Sequence, residues 1–257
     1  MFIRNIPPMG QRAGIIPVPP DEGPDPAGGL LGVAPLSPVS SRPAARLGAL
    51  SMKYETSARP GQEARAAARV STGKDDEGGV SYGAYQLASN RGQPQKFLQH
   101  EGARWADRFK GQDPTLRGGD FGKTWQAIAK EDPQGFFDAQ HAYIQRTHYD
   151  PVVARVLKRT GVDIDSQPQA IRDAAWSAAV NHGGSGATSI LSDGINNAKI
   201  LAGPGTPDFN IAALDLIYDR RAGFVKTLKN KPKNLPSLLN RYRFEHKDAR
   251  GRLGYRE

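Results

Sequence analysis

Residues 1–46 hold half of the chain's 20 prolines, with many glycines and few charges. Proline lacks the backbone donor that a helix or a central strand needs, so this stretch excludes both. It is expected to be an extended arm, and folding is confined to residues 47–257. That length suits one domain. Two uses of the arm are open. Extended proline-rich chain loses little entropy on docking, so short apolar clusters such as Ile15-Ile16 and Leu30-Leu31 can fill pockets on a neighbouring protein. The other use is a disordered linker. Docking is the expectation adopted.

Beyond the arm, apolar residues recur at helical spacing. Segments 94–109, 120–130, 152–159, 167–182, 210–228 and 236–242 read as helices. Asp132-Pro133 and Asp150-Pro151 each place a capping acid before a proline, the pattern of a helix start. Gly161 and the pair Gly183-Gly184 read as stops. Residues 56–79 read as a loop with one helical turn across 63–69. Val80 to Leu87 alternates briefly and reads as a short hairpin. The fold class expected is α+β, mostly helical, with one short β-hairpin and an extended N-terminal arm.

The formal net charge is +9. Positive charge draws a protein toward anionic polymers. No helix-turn-helix, zinc finger or RNA-binding aromatic signature accompanies it, so nucleic acid is not an expected partner. The absence of cysteine excludes disulfides and thiolate metal sites. His141 and His148 have no carboxylate at ligand spacing, so no metal is expected. The glycine pairs lack the Lys-Ser/Thr of a phosphate loop. No secretory signal and no membrane-spanning run is recognisable, so membrane insertion is not expected and another body must deliver the protein.

Carboxylates mark the chemistry. Glu55 falls at the end of a short helix carrying Leu47, Leu50 and Tyr54. Asp75, Asp76 and Glu77 precede Gly78-Gly79, where the backbone can turn sharply and let a polymer approach. Two carboxyls brought together from a helix end and a hairpin are what glycosidic cleavage requires. The same residues also suit a solvated helix end and a solvated turn.

Three blocks carry a family resemblance. The first is Lys53-Tyr54-Glu55 with Ser71 to Asp76, Gly78 to Gly83 and Gln86-Leu87. The second is Asp173 to Gly183. The third is Arg241-Tyr242 with Glu245. Together they span residues 47–246 and resemble the peptidoglycan-cleaving domain of some type VI secretion spike proteins. They are similar also to domains in bacteriophage lysins and to chitosanases of the lysozyme-like superfamily. The resemblance implies a lysozyme-like, chitosanase-like fold and cleavage within the bacterial wall glycan, with no cofactor. It implies Glu55 as general acid and Asp76 as general base, with Asp75 as the alternative base. The segment 62–69 lengthens the usual loop, which makes Glu63 an alternative acid. Related chitosanases invert, which implies carboxyls about 6.5–9.5 Å apart.

Ser81, Tyr82, Gln86, Asn181 and His182 are the candidate substrate contacts. Tyr82 and Tyr85 suit sugar stacking or the core equally, and His182 suits the cleft wall or a structural role. Arg241 and Glu245, at i and i+4, read as an ion pair. The expected partners are peptidoglycan strands and, through the arm, a phage tail or secretion apparatus. The expected location is a virion or the wall to which the protein is delivered. A non-catalytic tail or spike component, a lytic transglycosylase and a chitosanase are the alternatives.

Overall fold

The computed structural model describes residues 47–50, 62–74, 76–229, 232 and 234–254. The arm, Glu55 and Asp75 lie outside them. Helix α1 is the short turn Glu63–Ala67, inside the segment that lengthens the loop. Strands β1 (Ser81–Tyr82) and β2 (Leu87–Ala88) pair antiparallel, with Ser81 opposite Ala88 and Tyr82 opposite Leu87. Helix α2 is Gln93–Gln99, followed by a 3-10 segment, Ala103–Phe109. Helices α3 (Asp120–Glu131), α4 (Pro133–Ile144) and α5 (Asp150–Thr160) follow. A π turn, Gln145–Tyr149, joins α4 to α5. Helices α6 (Gln169–Leu201), α7 (Pro207–Thr227) and α8 (Leu235–Arg252) complete the chain. The described residues are mostly helical with one two-stranded sheet, which agrees with the α+β expectation.

Of the two Asp-Pro signals, only the first acts as a cap. Asp132 Oδ1 accepts from the Gly135 amide at 3.0 Å, ahead of Pro133 at the first helical position. Asp150 lies inside α5, whose N-cap is Tyr149 with no side-chain bond, because the π turn runs straight into the helix. Gly161, at φ +72°, ends α5 in the left-handed conformation that glycine adopts without strain.

Two further expectations are corrected. Segment 94–109 is not one helix: it breaks after Gln99, and the Phe97 ring covers Gly102 so closely that a Cβ there would lie 2.5 Å from it. The last helix runs well past 242, because Glu245 and Ala249 continue its buried face. Gly183 does interrupt its helix, at φ 65° and ψ 178°, but a second helical stretch follows at once and runs to Leu201, so α6 is two helices joined at a kink.

Two aromatic groups form the core. The Trp125 ring sits 4.7 Å from Phe136, 5.3 Å from Tyr82 and 5.5 Å from Phe97, tying α3, α4, β1 and α2 together. Trp176 on α6 stacks on His141 of α4 at 4.5 Å and lies 5.7 Å from Tyr149. Helix α6 packs along α7 and α5. Its small residues Ala174, Ala175, Ala178 and Ala179, all fully buried, allow that close approach.

Asp173 clamps both ends of the described domain to α6. It is fully buried and accepts from the Gly48 amide at 2.9 Å, Gln169 Nε2 at 2.8 Å and Arg252 at 3.0 Å. Burial pushes its carboxyl up from the ordinary 3.8, against the opposing pull of those hydrogen bonds and of Arg252 and Arg172. Gly48 has no alternative residue: at φ +75°, a Cβ would lie 2.5 Å from the Trp176 indole nitrogen. Asp173→Ala strands a buried amide and two side-chain donors, and should lower unfolding free energy by about 1–3 kcal/mol. Urea unfolding measures this. A change within experimental error would show that the clamp holds nothing.

Candidate functional site

The acid turn is built outward from the hairpin. Val70 bridges Tyr82, and the Ser71 amide donates to the Ser81 carbonyl at 2.9 Å. The Gly83 amide donates to the Arg69 carbonyl at 2.7 Å. Residues 69–71 thus lie along the free edge of β1, opposite β2. Ser71 Oγ accepts from the Ser81 amide at 2.8 Å and the Gly73 amide at 3.3 Å, fixing the entry to the acid loop. Arg117 adds a 2.7 Å bond to the Gly73 carbonyl.

Asp76 then forms a local turn. Its Oδ1 accepts from the Gly78 amide at 2.8 Å, and its carbonyl accepts from the Gly79 amide at 2.9 Å. A short acid bonding two residues ahead is the side-chain form of a turn. Its other carboxyl oxygen bonds to none of the described residues, and the side chain is half-buried. Asn90 locks the far side: its amide donates to the Gly78 carbonyl at 3.1 Å and its Nδ2 to the Glu77 carbonyl at 3.0 Å. Gly79 is required there, because at φ +72° a Cβ would lie 2.6 Å from Asn90 Oδ1. The result is a carboxylate fixed in direction and reachable from solvent.

The other candidates are dispersed. Glu63 is half-exposed at the start of α1. Ser81 lies beside the acid turn, but only 6 % of it is exposed. Tyr82 is fully buried, its hydroxyl donating to the Pro114 carbonyl at 2.7 Å, so its ring has no face to offer a sugar. Tyr85 is buried as well, with its hydroxyl 2.6 Å from His141 Nδ1. Gln86 closes the hairpin turn at φ 56°. That conformation is uncommon for any residue but glycine and costs about 1–3 kcal/mol, and such positions gather at functional sites. Gln86 is half-buried and remains a candidate contact.

Asn181 and His182 belong to the kink of α6. Asn181 Nδ2 donates to the Ser177 carbonyl at 2.8 Å. His182 is buried, with Nε2 3.2 Å from the Tyr242 hydroxyl. Burial drives its pKa well below 6.5, and the cations Arg221 and Arg241 push the same way. A neutral, enclosed imidazole of this kind fits the structural role and not the cleft wall. Among the described residues, no group of three or more His, Cys, Asp or Glu is placed to hold a metal ion.

Arg241 and Glu245 do pair, at 3.6 Å, inside a larger buried cluster. Glu245 also faces Arg221 at 3.4 Å and accepts from the Tyr218 hydroxyl at 3.2 Å. Arg221 donates to Ser177 Oγ at 2.8 Å and lies over the Tyr242 ring at 4.3 Å. This cluster joins α6, α7 and α8 and is closed to solvent.

Gln140 escapes a reading for chemistry. It is fully buried, accepts from the Ala84 amide at 2.9 Å and donates to the Ala67 carbonyl at 3.2 Å, pinning the hairpin turn to α1. One signal for it exists. Gln140 stands midway between Phe136-Phe137 and Tyr143-Ile144, a polar residue on an apolar stripe.

Comparison with known proteins agrees in extent with this core. Residues 47–246 match the family described as type VI secretion system spike protein VgrG3-like, C-terminal. Over 155 residues the chain is 37% identical to the type VI secretion system spike protein VgrG3 of Vibrio cholerae serotype O1. That alignment covers 60% of this chain and 14% of the relative. No helix among the described residues is long and apolar enough to cross a membrane. The chain belongs to the family of VgrG3-like C-terminal domains of type VI secretion spike proteins.

Proposed function

We propose that this domain cleaves glycosidic bonds of the bacterial wall glycan. Glu55 protonates the leaving oxygen, and Asp76 draws a proton from the attacking water on the opposite face of the sugar. The observation that supports this most is the Asp76 turn. One carboxyl oxygen is anchored by the Gly78 amide, and the other is left for chemistry. A general base needs that fixed direction together with access. The lysozyme-like, chitosanase-like fold is part of the same proposal. Gln86, half-buried at the hairpin turn, supplies a contact to the sugar. The test is loss of turbidity of purified cell walls. Clearing by the wild type supports the reading. No clearing would favour the second reading, a spike component without activity, which the relative's name also suits.

Family membership favours a secretion spike over a phage tail as the delivering body. Residues 1–46 precede the matched region, and we assign docking on that apparatus to them. A chain lacking them should clear isolated walls at the wild-type rate yet fail to copurify with the apparatus. Copurification of the shortened chain would move the docking surface onto the folded domain.

A further inference from the structure

An open cavity of about 540 Å³ lies between α1 and α3, apart from Asp76 and from the buried Glu245 cluster. Gln62, Arg65, Ala68, Arg69, Val70 and Gln126 line it. Among the described residues, its lining has two guanidiniums and no carboxylate. Neither Arg65 nor Arg69 makes an ion pair or a side-chain hydrogen bond within the described residues. Arg69 is partly buried, and burial together with the neighbouring Arg65 charge lowers its pKa. Arg65 is exposed at the mouth and Arg69 lies deeper; two neighbouring cations with no counter-charge among the described residues favour a bound anion.

The remaining lining narrows the ligand. Guanidinium forks match carboxylates in a two-bond geometry. The carboxamides of Gln62 and Gln126 can each donate and accept, as a peptide backbone requires. Ala68 and Val70 give an apolar floor for a small side chain. We propose that this cavity binds a short acidic peptide through its carboxylates, and that in the wall substrate this is the peptide borne by the glycan. The assignment to the wall rests on the function proposed above; the preference for an acidic peptide does not. Placement fits, because Arg69 is separated from Asp76 by seven residues of chain, at most about 25 Å. One polymer can therefore occupy both places. The cavity would let the domain prefer peptide-bearing glycan to a bare chain such as chitosan.

The experiment is a binding titration on the full chain, with purified disaccharide–peptide wall fragments and with the same disaccharide stripped of peptide. The wild type should hold the peptide-bearing fragment about tenfold tighter or better. The double variant Arg65→Gln, Arg69→Gln, with its melting temperature checked, should lose that preference and keep its affinity for the stripped sugar. Equal affinity of the wild type for both fragments overturns the proposal, as does a preference that survives in the double variant. Competition by inorganic phosphate as effective as that by free peptide also overturns it, since the site would then be a phosphate site. If walls are cleared and the preference is missing, only the cavity assignment falls. If the preference is present and walls resist, the peptide site stands and the proposed activity falls.

Discussion

Replacing Glu55 with Gln, or Asp76 with Asn, is expected to lower wall clearing by at least about a hundredfold, the range general acid–base catalysis contributes. Each change keeps the side-chain size and removes one capability. Glu55→Gln removes the transferable proton. Asp76→Asn removes the negative charge that takes the proton from water. The turn should survive the second change, because the amide oxygen of Asn can still accept from Gly78. Circular dichroism and melting temperature should match the wild type in both. Full activity of Glu55→Gln with loss in Glu63→Gln would move the acid to α1, and full activity of Asp76→Asn would pass the base role to Asp75.

The largest expected loss of stability lies elsewhere, in the buried cluster of α6, α7 and α8. Burial alone raises the Glu245 carboxyl, but Arg221 and Arg241 overcome that and hold it below the ordinary 4.5. Glu245→Gln keeps the shape and leaves two buried guanidiniums without a counter-charge. The cost of breaking a buried pair from one side is about 3–5 kcal/mol. For a domain of this size that is a fall in melting temperature of ~10 °C. The pH dependence follows from the sign of the shift. A carboxyl with a depressed folded pKa stabilises above its unfolded pKa, and the contribution is lost as pH falls through the folded value. The wild type should therefore lose stability below about pH 4.5 more steeply than the variant. Parallel acid profiles in the two proteins would contradict the cluster's role.

The fold was legible wherever local physics decides it. The Asp-Pro start of α4 and the glycine end of α5 depend on capping, which is a matter of neighbours in sequence. Where distant packing decides, the sequence was silent. The break before Gly102 depends on the Phe97 ring. Helix α8 has an apolar stripe only in its first half, through Leu235, Leu238, Leu239 and Tyr242; beyond that its buried face is Glu245 and Ala249. Charge pairing across three helices cannot be read from one of them. Within the candidate site, the acid turn was legible through Gly78-Gly79. The hairpin alternation placed Tyr82 on one face, but alternation does not say which face meets the core. His182 was ambiguous for the same reason, and its partner Tyr242 stands 60 residues away.

The central claim is that water attacks the glycan with two carboxylates assisting. Digestion of purified walls in ¹⁸O-water, followed by mass spectrometry of the released fragments, tests it most directly. Hydrolysis breaks the glycosidic bond and leaves the water oxygen at the new reducing end. The account predicts fragments carrying one ¹⁸O at that end with the wild type, and no such fragments with Glu55→Gln or Asp76→Asn. Fragments released without the label would reveal a lytic reaction that needs one acid and no activated water, and would contradict the role given to Asp76.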